Sequence, residues 1–149
     1  MLNNVLLYNS GGGIGDSLQI LPLISTLKSN FKDSKFYYLS AHENHFDSSL
    51  KDFNLKIETL ESNMKYFGFR WWHLFMAAKI AKKNNLKEFD LILDLQSKIR
   101  NSLILKMIPH KKFISSTFNF KLSKPKLKIK KDRRNYNTIL NAINFLYNE

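Results

Sequence analysis

Short, almost wholly apolar runs separated by segments with a helical repeat constrain this chain more than any other feature. Val5-Leu6-Leu7-Tyr8, Phe36-Tyr37-Tyr38-Leu39, Leu55 to Leu60, Leu91-Ile92-Leu93-Asp94 and Phe113-Ile114 read as strands. Runs this apolar suit strands covered on both faces, as in a parallel sheet. Between the first two, Leu18, Leu21, Ile24 and Leu27 recur every three residues and Phe31 extends them, which predicts a helix in which Pro22 falls early enough to be tolerated. A weaker helix is expected over roughly His45 to Phe53, another from about Trp71 to Asn85, and a third from Ile99 to Ile108, closed by Pro109. A final helix carries Tyr136, Ile139, Leu140, Ile143 and Leu146 on one stripe. The order βαβαβαβαβ with right-handed crossovers gives an α/β, doubly wound parallel sheet, Rossmann-like, with strand order 3-2-1-4-5. Residues 1–149 are expected to form one domain.

Composition removes several classes of function. A hydrophobic content of 44% excludes a mainly disordered chain despite a net charge of +12, from 24 Lys and Arg against 12 Asp and Glu. With no cysteine there is no disulfide, thiolate metal site or thiol nucleophile. His42 and His45 stand with Glu43 and Asp47, but His-Glu-Asn-His is one residue short of zincin spacing, so these residues are expected in a surface loop and no metal is expected. Gly-x-Ser-x-Gly occurs nowhere, which excludes that nucleophile elbow. The apolar runs are far shorter than the roughly 18 residues a spanning helix needs. Met1-Leu2-Asn3-Asn4 lacks the positive start of a signal peptide, so a cytoplasmic location is expected.

A doubly wound sheet binds ligands beyond the carboxyl ends of its strands, where strand order reverses. Here that is the space between strands one and four, flanked by Ser10-Gly11-Gly12-Gly13-Ile14-Gly15-Asp16 and Asp94-Leu95-Gln96-Ser97. The glycine turn fails two phosphate-loop patterns. A dinucleotide fingerprint from Gly11 and Gly13 needs a small residue where Asp16 stands, and a P-loop needs a lysine after Gly15. What remains is a turn whose backbone amides can approach an anion, ending in a carboxylate placed to take a proton from a bound hydroxyl. Asp16 also suits a helix N-cap, and the two roles are compatible. Gln96 is a candidate to hydrogen-bond acceptor hydroxyls beside that turn, while Asp94 can cap its strand end.

Gly12-Gly13-Ile14-Gly15-Asp16-Ser17-Leu18, followed by Leu21-Pro22-Leu23 and later by Phe89-Asp90-Leu91-Ile92-Leu93-Asp94-Leu95-Gln96, resembles the N-terminal domain of family 9 glycosyltransferases, the lipopolysaccharide heptosyltransferases. The likeness runs in order along nearly the whole chain. It implies the acceptor-binding half of a GT-B enzyme. Such an enzyme moves a heptose-like sugar, with inversion, from a nucleotide-sugar donor to an anionic glycolipid or oligosaccharide acceptor of the lipopolysaccharide-core type, with no cofactor or metal. Asp16 matches the family's general base, within an acceptor site at Gly12, Gly13, Ile14 and Gly15. By position, Arg70 and either Arg133 or Arg134 match basic residues that meet acceptor phosphates and carboxylates. The resemblance also implies that the donor-binding C-terminal domain is absent, so that nucleotide sugar binds only with a second domain. A fragment, a partner chain supplying the donor half, and a retained binding role all fit that expectation.

Two segments point elsewhere. From Lys121 to Arg134, eight of fourteen positions are Lys or Arg against one Asp, which supports an alternative reading as a basic nucleic-acid-binding module. It lacks any helix-turn-helix, zinc or RNP signature. A nucleotide-binding module without transferase activity is the other alternative. The stretch from Tyr66 to Phe75 is aromatic and could wall an acceptor site or touch a membrane surface peripherally. Trp71, Leu74, Phe75 and Ala78 share one helical stripe and are expected in the core, leaving Tyr66, Phe69 and Trp72 for exposed contact.

Overall fold

The structure, a computed structural model, describes residues 2–40, 43–60, 62, 66–96, 98–129 and 135–147. Five strands, β1 (Asn4–Asn9), β2 (Lys35–Ser40), β3 (Ile57–Thr59), β4 (Phe89–Asp94) and β5 (His110–Ser115), form one sheet in the order β3-β2-β1-β4-β5. Every pairing is parallel, with Leu7 opposite Tyr38 on one side and Leu93 on the other. This is the doubly wound order read from the sequence.

Alternate residues divide the core into two layers, as the period of a strand requires. Val5, Leu7, Phe36, Tyr38, Leu91 and Leu93 face α1 (Ile14–Asn30) and α5 (Asn135–Tyr147), which contribute Leu23, Ile24, Leu27, Ile139 and Ile143. Leu6, Tyr8, Tyr37, Leu39 and Ile92 face α2 (His73–Ala77), α3 (Ile80–Lys83) and α4 (Ile99–Leu105). All six residues of β4 are buried, and each Leu or Ile taken fully out of water stabilises the fold by about 2 kcal/mol.

Four local expectations are corrected. Pro22 lies well inside α1 rather than in its first turns; it and Leu18, whose carbonyl loses its helical donor, are exposed, so water can satisfy that oxygen. No α-helix covers His45 to Phe53. The Asn44 side chain instead accepts from Phe46 N–H at 3.1 Å and donates to Ile57 O and Thr59 Oγ1, leaving turns and a short 3-10 segment, Lys51–Phe53. The third strand is shorter than expected, and the helix over Trp71 to Asn85 is two short pieces. Within it Trp71 and Phe75 are 56% and 80% exposed, not core. The inward stripe is His73, Ala77, Ile80 and Ala81, all buried. Among the described residues, no helix is long and apolar enough to cross a membrane.

Candidate functional site

The carboxyl ends of β1 and β4 lie side by side, and the polar residues there are tied to one another. Asn9, fully buried at the end of β1, receives on Oδ1 both the Gly11 N–H, at 3.0 Å, and the Gln96 side-chain amide. It donates through Nδ2 to the backbone carbonyl of Asp16 at 3.4 Å. Gln96 N–H in turn donates to Asp94 Oδ1 at 3.1 Å. Both turns expected to flank the site are thus joined through Asn9, which the sequence reading missed; a polar residue ending a buried strand was the available signal.

Helix α1 begins at Ile14, so Gly13 is its N-cap and Asp16 stands at the third helical position instead of at the cap. Asp16 Oδ2 reaches back to accept the Gly13 N–H at 3.3 Å, half of a capping box. Its carboxyl lies over Gly11, where a Cβ would sit 2.3 Å from Asp16 Cγ, so any side chain at position 11 would displace Asp16. Oδ1 of Asp16 has no hydrogen bond among the described residues, and the side chain is half-exposed at the strand ends. Ile14 and Gly15 are exposed, and a side chain at Gly15 would meet open space. A groove of about 450 Å³, lined by Leu18, Gln19, Pro22, Leu95, Gln96 and Tyr136, opens alongside.

His45, expected in a surface loop, is buried, with Nε2 3.2 Å from the Gly12 carbonyl and Nδ1 3.5 Å from Glu43 Oε1. The loop folds inward because Asn44 anchors it to β3, which brings the imidazole against the glycine turn. His42 lies outside the described residues. No cluster of three His, Asp or Glu suited to a metal ion occurs among the described residues.

Beneath Gln96 the Asp94 carboxylate is fully buried, and its Oδ2 accepts from Ser115 Oγ at 2.8 Å and from Ser102 Oγ. Thr117 Oγ1 lies 2.7 Å from Ser102 Oγ and 2.9 Å from Ser115 Oγ, so β4, α4 and the exit of β5 share one polar network. Tyr8 is raised well above its ordinary pKa, first by burial and further by Asp94, with Arg100 opposing. It therefore stays a phenol and donates to Phe67 O at 2.9 Å.

That bond fixes the loop after β3. Gly68, at φ +88°, donates to His73 Nδ1 at 3.0 Å, and Arg100 Nε donates to Gly68 O at 2.8 Å. Burial, then Arg70 and Arg100, lower the His73 pKa, which keeps the ring neutral and able to accept. Arg70 is exposed on this loop, its guanidinium 4.6 Å from the Trp72 ring, and makes no contact with the glycine turn among the described residues. Arg133 and Arg134 lie outside the described residues, so the structure tests neither as an acceptor contact. The structure therefore assembles Gly12, Gly13, Ile14, Gly15, Asp16 and Gln96, and places Arg70 on a neighbouring loop.

No family model and no curated protein matches the sequence. A solved structure does match: the crystal structure of the glycosyl transferase family 9 from Veillonella parvula DSM 2008, with a TM-score of 0.62 and 16% identity. The match covers 97% of this chain and 42% of that one. At this identity the likeness speaks to fold, and it agrees with the strand order and with the resemblance read from the two motifs. In fold, this chain is an α/β Rossmann-like domain of the kind present in a family 9 glycosyltransferase structure.

Proposed function

We propose that this chain is the acceptor-side half of an inverting glycosyltransferase, with Asp16 as its general base. The observation that carries the reading is Asp16 itself. One carboxylate oxygen is held by Gly13 N–H, while the other is unengaged among the described residues, where strand order reverses. The held oxygen fixes the side chain, and the second can accept a proton. In the reaction, the acceptor hydroxyl gives its proton to Asp16 as its oxygen forms a bond to the anomeric carbon. The bond from that carbon to the donor's diphosphate breaks on the opposite face, and the nucleoside diphosphate leaves. Gln96 orients acceptor hydroxyls, and the amides of Gly12, Ile14 and Gly15 face its anionic groups, while Gly13 N–H holds Asp16 in place.

The likeness to a family 9 glycosyltransferase structure supports sugar transfer, and the motif resemblance extends the reading to a heptose-like sugar and a lipopolysaccharide-core type of acceptor. Arg70, with Arg133 or Arg134, supplies positive charge toward acceptor phosphates. The nucleotide sugar is a substrate held mainly by a second domain, and the transfer needs no metal. The reading places the chain on the cytoplasmic side of a membrane.

An amide-NMR titration of this chain tests the reading, with a soluble anionic core oligosaccharide in one arm and ADP in the other. The oligosaccharide is expected to shift the amides of Gly11 to Leu18 and Gln96, with a Kd on the order of 1 mM, while ADP shifts them far less. Tight ADP binding at those amides without an oligosaccharide response overturns the reading in favour of a nucleotide-binding module. Tight binding of an oligonucleotide through the Lys121 to Arg134 segment, with neither sugar nor ADP responding, overturns it in favour of nucleic acid.

A further inference from the structure

The helices on the two faces of the sheet differ in charge. Helices α1 and α5 together carry one acid, Asp16, and one base, Lys28. On the other side, the sequence from 62 to 87 contains six Lys or Arg and no Asp or Glu, and that from 95 to 109 contains three more and again no acid. Arg70, Lys79, Lys82, Lys83, Lys98 and Lys106 are all exposed there.

The same face concentrates uncovered aromatic surface. Of the thirteen large hydrophobic residues left exposed among the described residues, six fall between positions 66 and 76: Tyr66, Phe69, Trp71, Trp72, Phe75 and Met76. Ile99 and Met107, on and just after α4, add to that face. Core packing does not explain them, because the inward stripe of this segment is already supplied by His73, Ala77, Ile80 and Ala81. Trp72, Phe75 and Met76 are spaced as one outward helical face, continued by Lys79 and Lys83. The segment is apolar on both sides, with cations bordering the outer one, and Arg70 and Arg100 lie over the rings of Trp72 and Phe69 at 4.6 and 5.8 Å.

We propose that the face built by α2, α3 and α4 docks on an anionic lipid bilayer. The six exposed residues of 66–76 enter the headgroup boundary, and Lys79, Lys82 and Lys83 meet lipid phosphates. Trp and Tyr favour that boundary, where the ring is half-buried and its polar atom stays wet, and lysines near an anionic surface strengthen attachment. An acid-free face removes the repulsion that a carboxylate would feel there. A second copy of this chain fits less well, because apposing two such faces brings like charges together. Docking stands independently of the transferase reading, since it needs neither Asp16 nor Gln96.

Trp71 and Trp72 are the only tryptophans of the 149-residue chain, so emission excited at the red edge, where tyrosine does not absorb, reports on this patch alone. With vesicles of phosphatidylcholine containing about one-third phosphatidylglycerol, the emission is expected to move to shorter wavelength and the protein to sediment with the vesicles. Pure phosphatidylcholine should produce little of either, and added salt should weaken both. The double change Phe75→Ser and Met76→Ser leaves the buried stripe of His73, Ala77, Ile80 and Ala81 intact, and should lower vesicle affinity about tenfold or more with an unchanged circular dichroism spectrum. The triple change of Lys79, Lys82 and Lys83 to Glu should abolish the preference for anionic lipid. Absence of binding to anionic vesicles by the folded chain overturns the proposal, as does equal binding by the Phe75 and Met76 variant. Sedimentation as a dimer that the Phe75 and Met76 changes dissociate, with no response to vesicles, overturns it in favour of a second copy.

Discussion

Two aspartates of β4, four residues apart, sit at opposite ends of the sheet. At the amino end, Asp90 Oδ2 accepts the N–H groups of Asn3 and Asn4 at 2.8 and 3.0 Å, and Oδ1 accepts Lys111 Nζ at 2.6 Å. That carboxylate pins the starts of β1 and β5 to β4. At the carboxyl end, Asp94 is buried among hydroxyls, and a third aspartate, Asp16, follows β1 with one oxygen committed to the backbone and one not among the described residues. One end of the sheet spends its carboxylates on the fold, while the other adds one whose capacity is half unused. Substitutions at the structural positions should therefore cost stability, and a substitution at Asp16 should cost chemistry.

The largest effect is expected at Asp94. Asp94→Ala takes the carboxylate partner from the buried Ser102 and Ser115 hydroxyls and from the half-buried Gln96 N–H, and each buried group left unpaired costs roughly 1–3 kcal/mol. We expect a total loss of about 3 kcal/mol, part of it recovered as the hydroxyls bond one another, and urea unfolding followed by circular dichroism measures it. A loss below about 1 kcal/mol would make the network dispensable, and with it the distinction between the buried aspartate and Asp16.

Gly68 ranks next. Its φ of +88° disfavours any side chain, and a Cβ there would lie 2.5 Å from the Tyr8 hydroxyl and 3.0 Å from the Asn101 side chain. Gly68→Ala should cost about 2 kcal/mol and break the Tyr8 to Phe67 bond that ties the aromatic loop to β1. The same urea titration reads the stability, and a rise in the exchange rate of the amide at position 68 over that of the parent reads the released loop.

At Asp90 the effect depends on pH. Burial raises its pKa, but the Lys111 ammonium and the two backbone donors outweigh burial and hold the group below its ordinary value of 3.8. A carboxyl lowered by folding contributes stability above the unfolded value and loses it as pH falls through the folded one. The urea midpoint should therefore fall between about pH 5 and about pH 3, and Asp90→Asn should flatten that dependence while costing about 1 kcal/mol near neutrality. A pH profile unchanged by Asp90→Asn would place the acid-sensitive bond elsewhere.

The same contrast explains what could be read before the structure. Strands β1, β2 and β4 declare themselves because burial on both faces leaves a nearly continuous apolar run, and their order follows from right-handed crossovers. The helix read over Trp71 to Asn85 carries two apolar stripes, and periodicity selects the bulkier. Trp71 and Phe75 therefore look like core although the smaller His73, Ala77 and Ala81 face the sheet. The glycine turn and Gln96 were legible from their place after strands one and four. Asn9 showed only as a polar residue ending a buried strand and His45 not at all, because the contacts that make them part of the site, with Gln96 and Gly12, are long-range.

Asp16 should produce the smallest change in stability and the clearest separation of the two ends. Asp16→Asn keeps an oxygen able to accept the Gly13 N–H, keeps the volume over Gly11, and removes only the charge near the first turn of α1. Capping and dipole terms of that kind amount to about 0.5 kcal/mol at a half-exposed position, so the urea midpoint should barely move. The neutral amide cannot take a proton from a hydroxyl, so transfer by a protein that unites this chain with a donor-binding half should fall at least about a hundredfold. Oligosaccharide-induced shifts at Gln96 should persist, because binding does not need the base. Loss of folding in Asp16→Asn would place Asp16 with Asp90 and Asp94 as a structural carboxylate. Undiminished transfer would remove it from the chemistry and leave the glycine turn as a binding surface alone.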